Sequence, residues 1–412
     1  MESKMQFTIE NQNNDLQALL ERVQEQQKRT ADILPQTKDL QFRTVESSVS
    51  DNKQSQIVIE GIRGEPTRIA KVNDVCFNQI ASKAQIDVRT AKRLKEQYSF
   101  EFDKLINAIW QNENSRQMIR MFDMTDQQEC FDYVARAFLS NKFKTFDNVH
   151  LLESTLPKLI ESDANWQIMN WDLTDSKLYA RFKSQTQTGE GANVGDTMAN
   201  GIIISNSEVG QGSVRVGQIT WTLACKNGMQ SRNETRSSHI TSAREDSDQW
   251  SILTDEAKDA DNKALSLKLR DIVESFASRE SFDQILDQMK QASQDTIEGE
   301  YSISKVSESL GEVLKIPQKE TSLILDGLMQ TLQQDGYRNE PLSRATLMNG
   351  VTAVSHKVKP DLVDDWQKLG GSVLNMSASN WNKIKTASQL DKHSFLESIS
   401  IVLNLWDVIR GS

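Results

Sequence analysis

Cysteine is scarce in this 412-residue chain. The three present, Cys76, Cys130 and Cys225, are odd in number, far apart and beside apolar neighbours. That spacing excludes a disulfide framework and fits small buried thiols in a reducing compartment. Histidine is almost as rare: His150, His239, His356 and His393 have no partners at metal-ligand spacing, and neither Cys-x-x-Cys nor His-Glu-x-x-His occurs. No metal or cofactor is expected. Gly-x-Ser-x-Gly and the Walker lysine are absent, and Gly210-x-Gly212 lacks the third glycine and following helix of a nucleotide cradle. Asp172 and Asp175 flank a predicted hairpin turn, where carboxylates are usually solvated. The chain is therefore expected not to be an enzyme.

Long apolar runs are missing too. None approaches the ~18 residues that span a bilayer, and the opening MESKMQFTIENQNNDLQ has no apolar signal core. A cytoplasmic protein without a membrane partner is expected. Basic excess is likewise absent: the formal net charge is -10, which argues against a surface coated in cations for duplex binding. Only six prolines and 18 glycines interrupt the chain, leaving long stretches free for helix.

What is present divides into three parts on a length prior of roughly 150 residues each. Residues 1–125 are expected to form a helical region with short strands, 126–250 a central antiparallel β platform, and 251–412 a helical region; the fold class is α+β. An amphipathic helix is predicted over 14–34, closed by Pro35, then two short strands around Gly61 and Gly64. Helices follow over 73–122. From 131 the period switches: YVARAFLSNKFKTFDN alternates as a strand, VHLLESTLPKLIE is a helix, and NWQIMNWDLTDSKLYARFKSQ is a hairpin turning at Thr174–Ser176. In SNSEVGQGSVRVGQITWTLACKNGM, residues 205–229, glycines at 210 and 212 permit positive φ or close approach, and Ile219, Trp221, Leu223 and Cys225 share one face of a final strand ended by Asn227-Gly228. Beyond 250 the pattern is helical throughout, with one helix or two over 256–295 and an amphipathic tail, SFLESISIVLNLWDVIR.

Two stretches carry functional signals. In NQIASKAQIDVRTAKRLK, residues 78–95, the apolar set Ile80, Ala81, Ala84, Ile86, Ala91 and Leu94 is spaced like a helix-turn-helix, with Arg89, Lys92, Arg93 and Lys95 facing outward from the second helix. Gln85 stands where the turn usually holds glycine, and a three-helix packing without DNA contact has the same pattern. The second set is Arg136, Lys142, Lys144, Lys177, Arg181, Lys183, Arg215, Lys226, Arg232, Arg236 and Arg244, interleaved with Phe138, Phe143, Trp171, Tyr179, Phe182 and Trp221. Cations beside stacking rings suit a single-stranded nucleic acid groove, although the pattern by itself favours rings in a core and cations on a solvated face. Residues 131–244 hold 12 Lys or Arg against 11 Asp or Glu, so the acidity lies elsewhere.

The segments RTADILPQTKDLQF, YVARAFLSNKFKTFDN, SNSEVGQGSVRV, ACKNGM, NGVTAVSHKV and WQKLGGSVL, in that order over roughly residues 28–375, resemble the phage and plasmid proteins grouped as domain of unknown function nine-three-two. The family's proline after the short turn is Asp87 here. The resemblance implies a mobile-element origin and supplies no catalytic residues. The resulting expectation is a phage- or plasmid-encoded, oligomeric protein that binds or anneals single-stranded DNA through Lys142, Lys144, Arg181, Lys183, Arg215, Lys226, Arg232, Arg236 and Arg244. The alternatives are a duplex-binding regulator using Arg89, Lys92 and Arg93, and a structural protein that binds only protein partners.

Overall fold

The computed structural model describes residues 12–46, 53–61, 66–126, 131–191, 197–222, 228–237, 253–333, 341–358 and 360–389. The architecture is α+β, with two sheets, each backed by helices, and a third, all-helical layer. Helix α1 (Gln12–Arg29) leads into β1 (Thr30–Ile33). The predicted helix thus stops at Arg29, six residues before Pro35, because Thr30–Ile33 pairs antiparallel with a later strand. Three strands follow, β2 (Leu40–Glu46), β3 (Lys53–Ile59) and β4 (Arg68–Val72), where two were expected.

Helices α2 (Asp74–Lys83), α3 (Val88–Gln97) and α4 (Ser99–Glu113) come next. Asn114, with φ +40°, ends α4 in the left-handed region. The remainder of the expected helix is therefore strand β5 (Gln117–Asp123). With β6 (Tyr133–Ser140) it completes a six-stranded sheet in the order β1-β5-β6-β4-β3-β2, in which only β4 and β6 run parallel. β6 lies beyond the boundary expected at 125/126, which accordingly falls inside this sheet. The N-terminal region holds far more β structure than the sequence suggested. Its core joins Phe42, Ile57 and Phe138 of the strands to Phe77, Ile80, Phe102, Ile106 and Trp110 of the helices.

Helix α5 (Asn148–Glu161) precedes a five-stranded antiparallel meander: β7 (Trp166–Leu173), β8 (Leu178–Glu190), β9 (Thr197–Asn206), β10 (Val214–Thr222) and β11 (Gly228–Ser237). The β7–β8 hairpin turns where expected, with Thr174 N donating to Lys177 O at 2.9 Å. The strand expected to be last is followed by β11. Leu223 and Cys225 lie outside the described residues. One face of the meander packs Phe182, Ile202, Ile204 and Val216 against α1, α5 and α6 (Asp255–Phe276) through Leu19, Val23, Leu151, Leu159 and Val273.

Ser278 caps α7 (Arg279–Gln294) through Ser281 N, which divides the 256–295 stretch into two helices. α8 (Ile303–Leu314), α9 (Gln318–Leu332), α10 (Arg344–Ala353), α11 (Pro360–Leu374) and α12 (Ala378–Ser388) complete the helical layer around Phe282, Leu310, Ile324, Leu347, Trp366 and Ile384. Met198 of β9 enters this cluster and ties the layer to the meander. The expected amphipathic tail lies outside the described residues.

Candidate nucleic-acid interface

The α2–α3 corner is built from caps, one left-handed residue and small side chains. Asn73 accepts from Cys76 N at 2.9 Å to start α2, and Asp87 accepts from Thr90 N at 3.1 Å to start α3. These contacts satisfy donors that a helix N-terminus otherwise leaves unpaired. Between the helices Gln85 takes φ +57°, and Ile86 N donates back to Ala81 O at 2.9 Å. This reverses the chain within three residues, as in a Schellman-type helix end. The glycine position of the sequence pattern is thus left-handed even though glutamine fills it. Ala81 and Ala91 are fully buried, small enough for α3 to lie close to α2.

The outward face of α3 carries the charges. Arg89, Lys92 and Arg93 are exposed, and Ala91 is the one fully buried residue of the helix. Among the described residues Arg89 and Arg93 face no carboxylate within 4 Å, while Lys92 sits 4.0 Å from Asp74. Lys95, expected to face outward, instead lies over the Phe77 ring at 5.5 Å and pairs with Glu96 at 2.9 Å. Tyr98 and Phe100, both more than half exposed, continue the open surface past the end of α3.

A second corner repeats this backbone. Between α8 and α9, Lys315 takes φ +57° and Ile316 N donates to Gly311 O at 2.8 Å. A Cβ added at Gly311 would lie 3.0 Å from Thr321 Oγ1, so here too the helices cross at a small residue. Its charges differ: Glu308 and Glu312 on α8 and Glu320 and Asp326 on α9 stand against Lys305, Lys315 and Lys319, a net of -1. The corner is a packing device, and only the first presents a cationic helix.

On the meander, the pairing register sets Tyr179, Ser205, Arg215 and Arg236 in one cross-strand row, with Arg181, Ile203, Gly217 and Glu234 in the row two residues along. Lys183, Gly201 and Ile219 follow. Strand alternation puts Tyr179, Arg181 and Lys183 on the face opposite the α5–α6 core. These three are half-buried, whereas Ile203, Ile219 and Arg215 on the same face are buried. The platform is open along β7 and β8 and closed at its centre.

The other cations and rings scatter. Lys142 and Lys144 lie between β6 and α5, off the platform, and Lys144 pairs with Asp261 of α6 at 3.4 Å. Arg232 and Arg236 belong to β11, and Lys226 and Arg244 lie outside the described residues. Phe138, Phe143 and Phe182 fill cores, so they cannot stack on bases. Arg136 is internal as well.

Arg136 belongs to a buried ionic group that the sequence did not disclose. Glu208, in the loop of the SNSEVGQG segment, accepts from Arg136 Nη2 at 2.9 Å, Gln26 Nε2 at 2.8 Å and Asn148 N at 2.7 Å. Arg120, with no exposed surface, donates to Asp32, Asp147 and the Glu208 carbonyl. Burial pushes the Asp32 carboxyl up, against the opposing charge of Arg120. Burial acts on Asp147 in the same sense, but the Arg120 charge and hydrogen bond outweigh it and hold its carboxyl below the usual range. This group fastens α1, the first sheet and the β9–β10 loop together.

Among the described residues no cluster of His, Cys, Asp and Glu is arranged to hold a metal ion, and no helix is long and apolar enough to cross a membrane. No family model, curated protein or solved structure matches the chain.

Proposed function

We propose that this protein binds DNA without acting on it chemically, and that it engages the duplex through the α2–α3 corner. The observation that carries the reading is the exposure of Arg89, Lys92 and Arg93 on one short helix held outward by a left-handed turn. A helix so presented fits the major groove, and its guanidinium groups can meet phosphates or guanine edges. The α8–α9 corner, with the same backbone but no cationic helix, serves as an internal comparison. The resemblance to phage and plasmid proteins supports placing such a protein in a mobile element.

A second reading rests on β8. Tyr179, Arg181 and Lys183 alternate on its half-open face, roughly 6.8 Å apart for successive same-face residues. That spacing suits an extended single strand, with a ring for a base and cations for phosphates.

Titration of labelled duplex and single-stranded DNA of one mixed sequence across a salt series separates the two. The duplex reading expects a duplex preference that falls when Arg89 and Arg93 become alanine, with the salt slope reduced by about 2. A single-strand preference lost on Arg181→Ala and Lys183→Ala moves the function to β8. Absence of binding to either at low salt ends both readings.

A further inference from the structure

The last turn of α2 carries a lysine that the DNA-binding reading does not use. Lys83 lines a cleft of about 540 Å³ between α2, β6 and the β9–β10 loop, with Val75, Gln79, Phe138, Ser140 and Gly210 among its walls. Its Nζ donates to Gln117 Oε1 and lies 5.4 Å from the centre of the Phe138 ring. No carboxylate among the described residues comes within 4 Å of it, and Glu113 acts only at longer range. Burial pushes the ammonium down to about 8. A half-buried lysine on a cleft wall beside an apolar ring, with no carboxylate within 4 Å among the described residues, has the setting of an amine nucleophile.

We propose that Lys83 is a covalent modification site, an amine on the cleft wall that accepts a short acyl group from an activated donor. The Nζ lone pair attacks the acyl carbon of a thioester or acyl phosphate and forms the C–N bond. The C–S or C–O bond to the leaving group breaks, thiolate or phosphate departs with the electron pair, and the amine proton passes to solvent. The product suits its surroundings better than the reactant. An amide carries no charge for burial to penalise and keeps one N–H for Gln117 Oε1, and Val75 and Phe138 offer apolar surface to the acyl chain. The inference does not depend on the DNA-binding reading.

The choice of lysine over the exposed cations of α3 follows from protonation. At pH 8 about half of the Lys83 side chains are free amine, against under about 1 % for an ordinary lysine. The lower intrinsic nucleophilicity of a less basic amine offsets part of this advantage.

The test is acylation of the full chain by acetyl phosphate, and separately by acetyl-coenzyme A, from pH 7 to pH 9, with occupancy of every lysine followed by peptide mass spectrometry. Lys83 is expected to react severalfold faster than Lys92 and Lys104, with a rate that levels off above about pH 8. Filling the cleft by Val75→Trp should slow Lys83 alone. Gln211→Trp, at the loop, does the same should Val75→Trp fail to fold by circular dichroism. Reaction with one donor only identifies the source of the acyl group. A Lys83 rate at or below that of Lys92, or one unchanged in a folded cleft-filling variant, overturns the proposal.

Discussion

Glu208 and Arg136, 72 residues apart in sequence, meet at 2.9 Å with less than a twentieth of either side chain exposed. The glutamate comes from the loop between β9 and β10, the arginine from β6, and neither charge reaches water. The two sheets are therefore tied by an ion pair whose carboxylate also accepts from the half-buried Gln26 side chain and the buried Asn148 amide.

Removing one member of this pair should cost much more than removing both. Glu208→Ala leaves Arg136 and the Asn148 amide buried without their acceptor, and a loss of about 3–5 kcal/mol is expected from denaturant unfolding. The double substitution Glu208→Leu with Arg136→Met should lose less than Glu208→Ala alone. A single-variant loss below about 1 kcal/mol would contradict the burial described.

Two left-handed positions should respond in opposite directions. Gly210 has φ +73°, and a Cβ there would lie 2.8 Å from Leu139 Cδ2. Gly210→Ala is expected to lower stability by about 1–2 kcal/mol. Gln85 already bears the strain of φ +57°, so Gln85→Gly should raise stability by about 1 kcal/mol. Thermal melts of both variants at one pH make the comparison.

The α3 cations are expected to be dispensable for folding. Because Arg89 and Arg93 are exposed and face no carboxylate within 4 Å among the described residues, Arg89→Ala with Arg93→Ala should change stability by no more than about 0.5 kcal/mol. Ala91→Leu, by contrast, forces a larger side chain into a site with no exposed surface and should cost about 1–3 kcal/mol. A large loss from the arginine pair would mean that they pack rather than present.

Stability should rise with alkalinity through Lys83. Its folded value of about 8 lies below the ordinary lysine value. Between about pH 8 and pH 10.4 the unfolded chain therefore binds the proton that the folded chain has released. Unfolding free energy from this group increases across that window and is lowest below it, where the buried ammonium is charged. Lys83→Met removes the dependence, so the difference between the wild-type and variant curves should slope only over this range.

The elements that sequence disclosed are those whose signal is local. The hairpin at Thr174–Ser176, the strand YVARAFLS, the helix VHLLESTLPKLIE and the apolar skeleton from Ile80 to Leu94 each rest on turn residues or periodicity within about 20 residues. Misreadings came where a distant partner decided the outcome. Thr30–Ile33 continues a helical pattern until β5 offers its edge, and Gln117–Asp123 follows a helix that Asn114 turns aside. Phe138 and Phe182 were candidates for stacking because alternation does not say which face of a strand is covered.

The sequence by itself determined the α+β class, the α2–turn–α3 corner with its outward Arg89, Lys92 and Arg93, and the absence of local metal and nucleophile motifs. These follow from side-chain periodicity, capping residues and composition, which act over a few turns of chain. Tertiary structure alone decided that Arg136 is an internal ion, that the meander is closed around Ile203 and Ile219, and that Lys83 lies half-buried on a cleft wall beside Phe138. Burial and charge pairing depend on segments as far apart as Gln26 and Glu208, and no local pattern specifies which of those segments will meet.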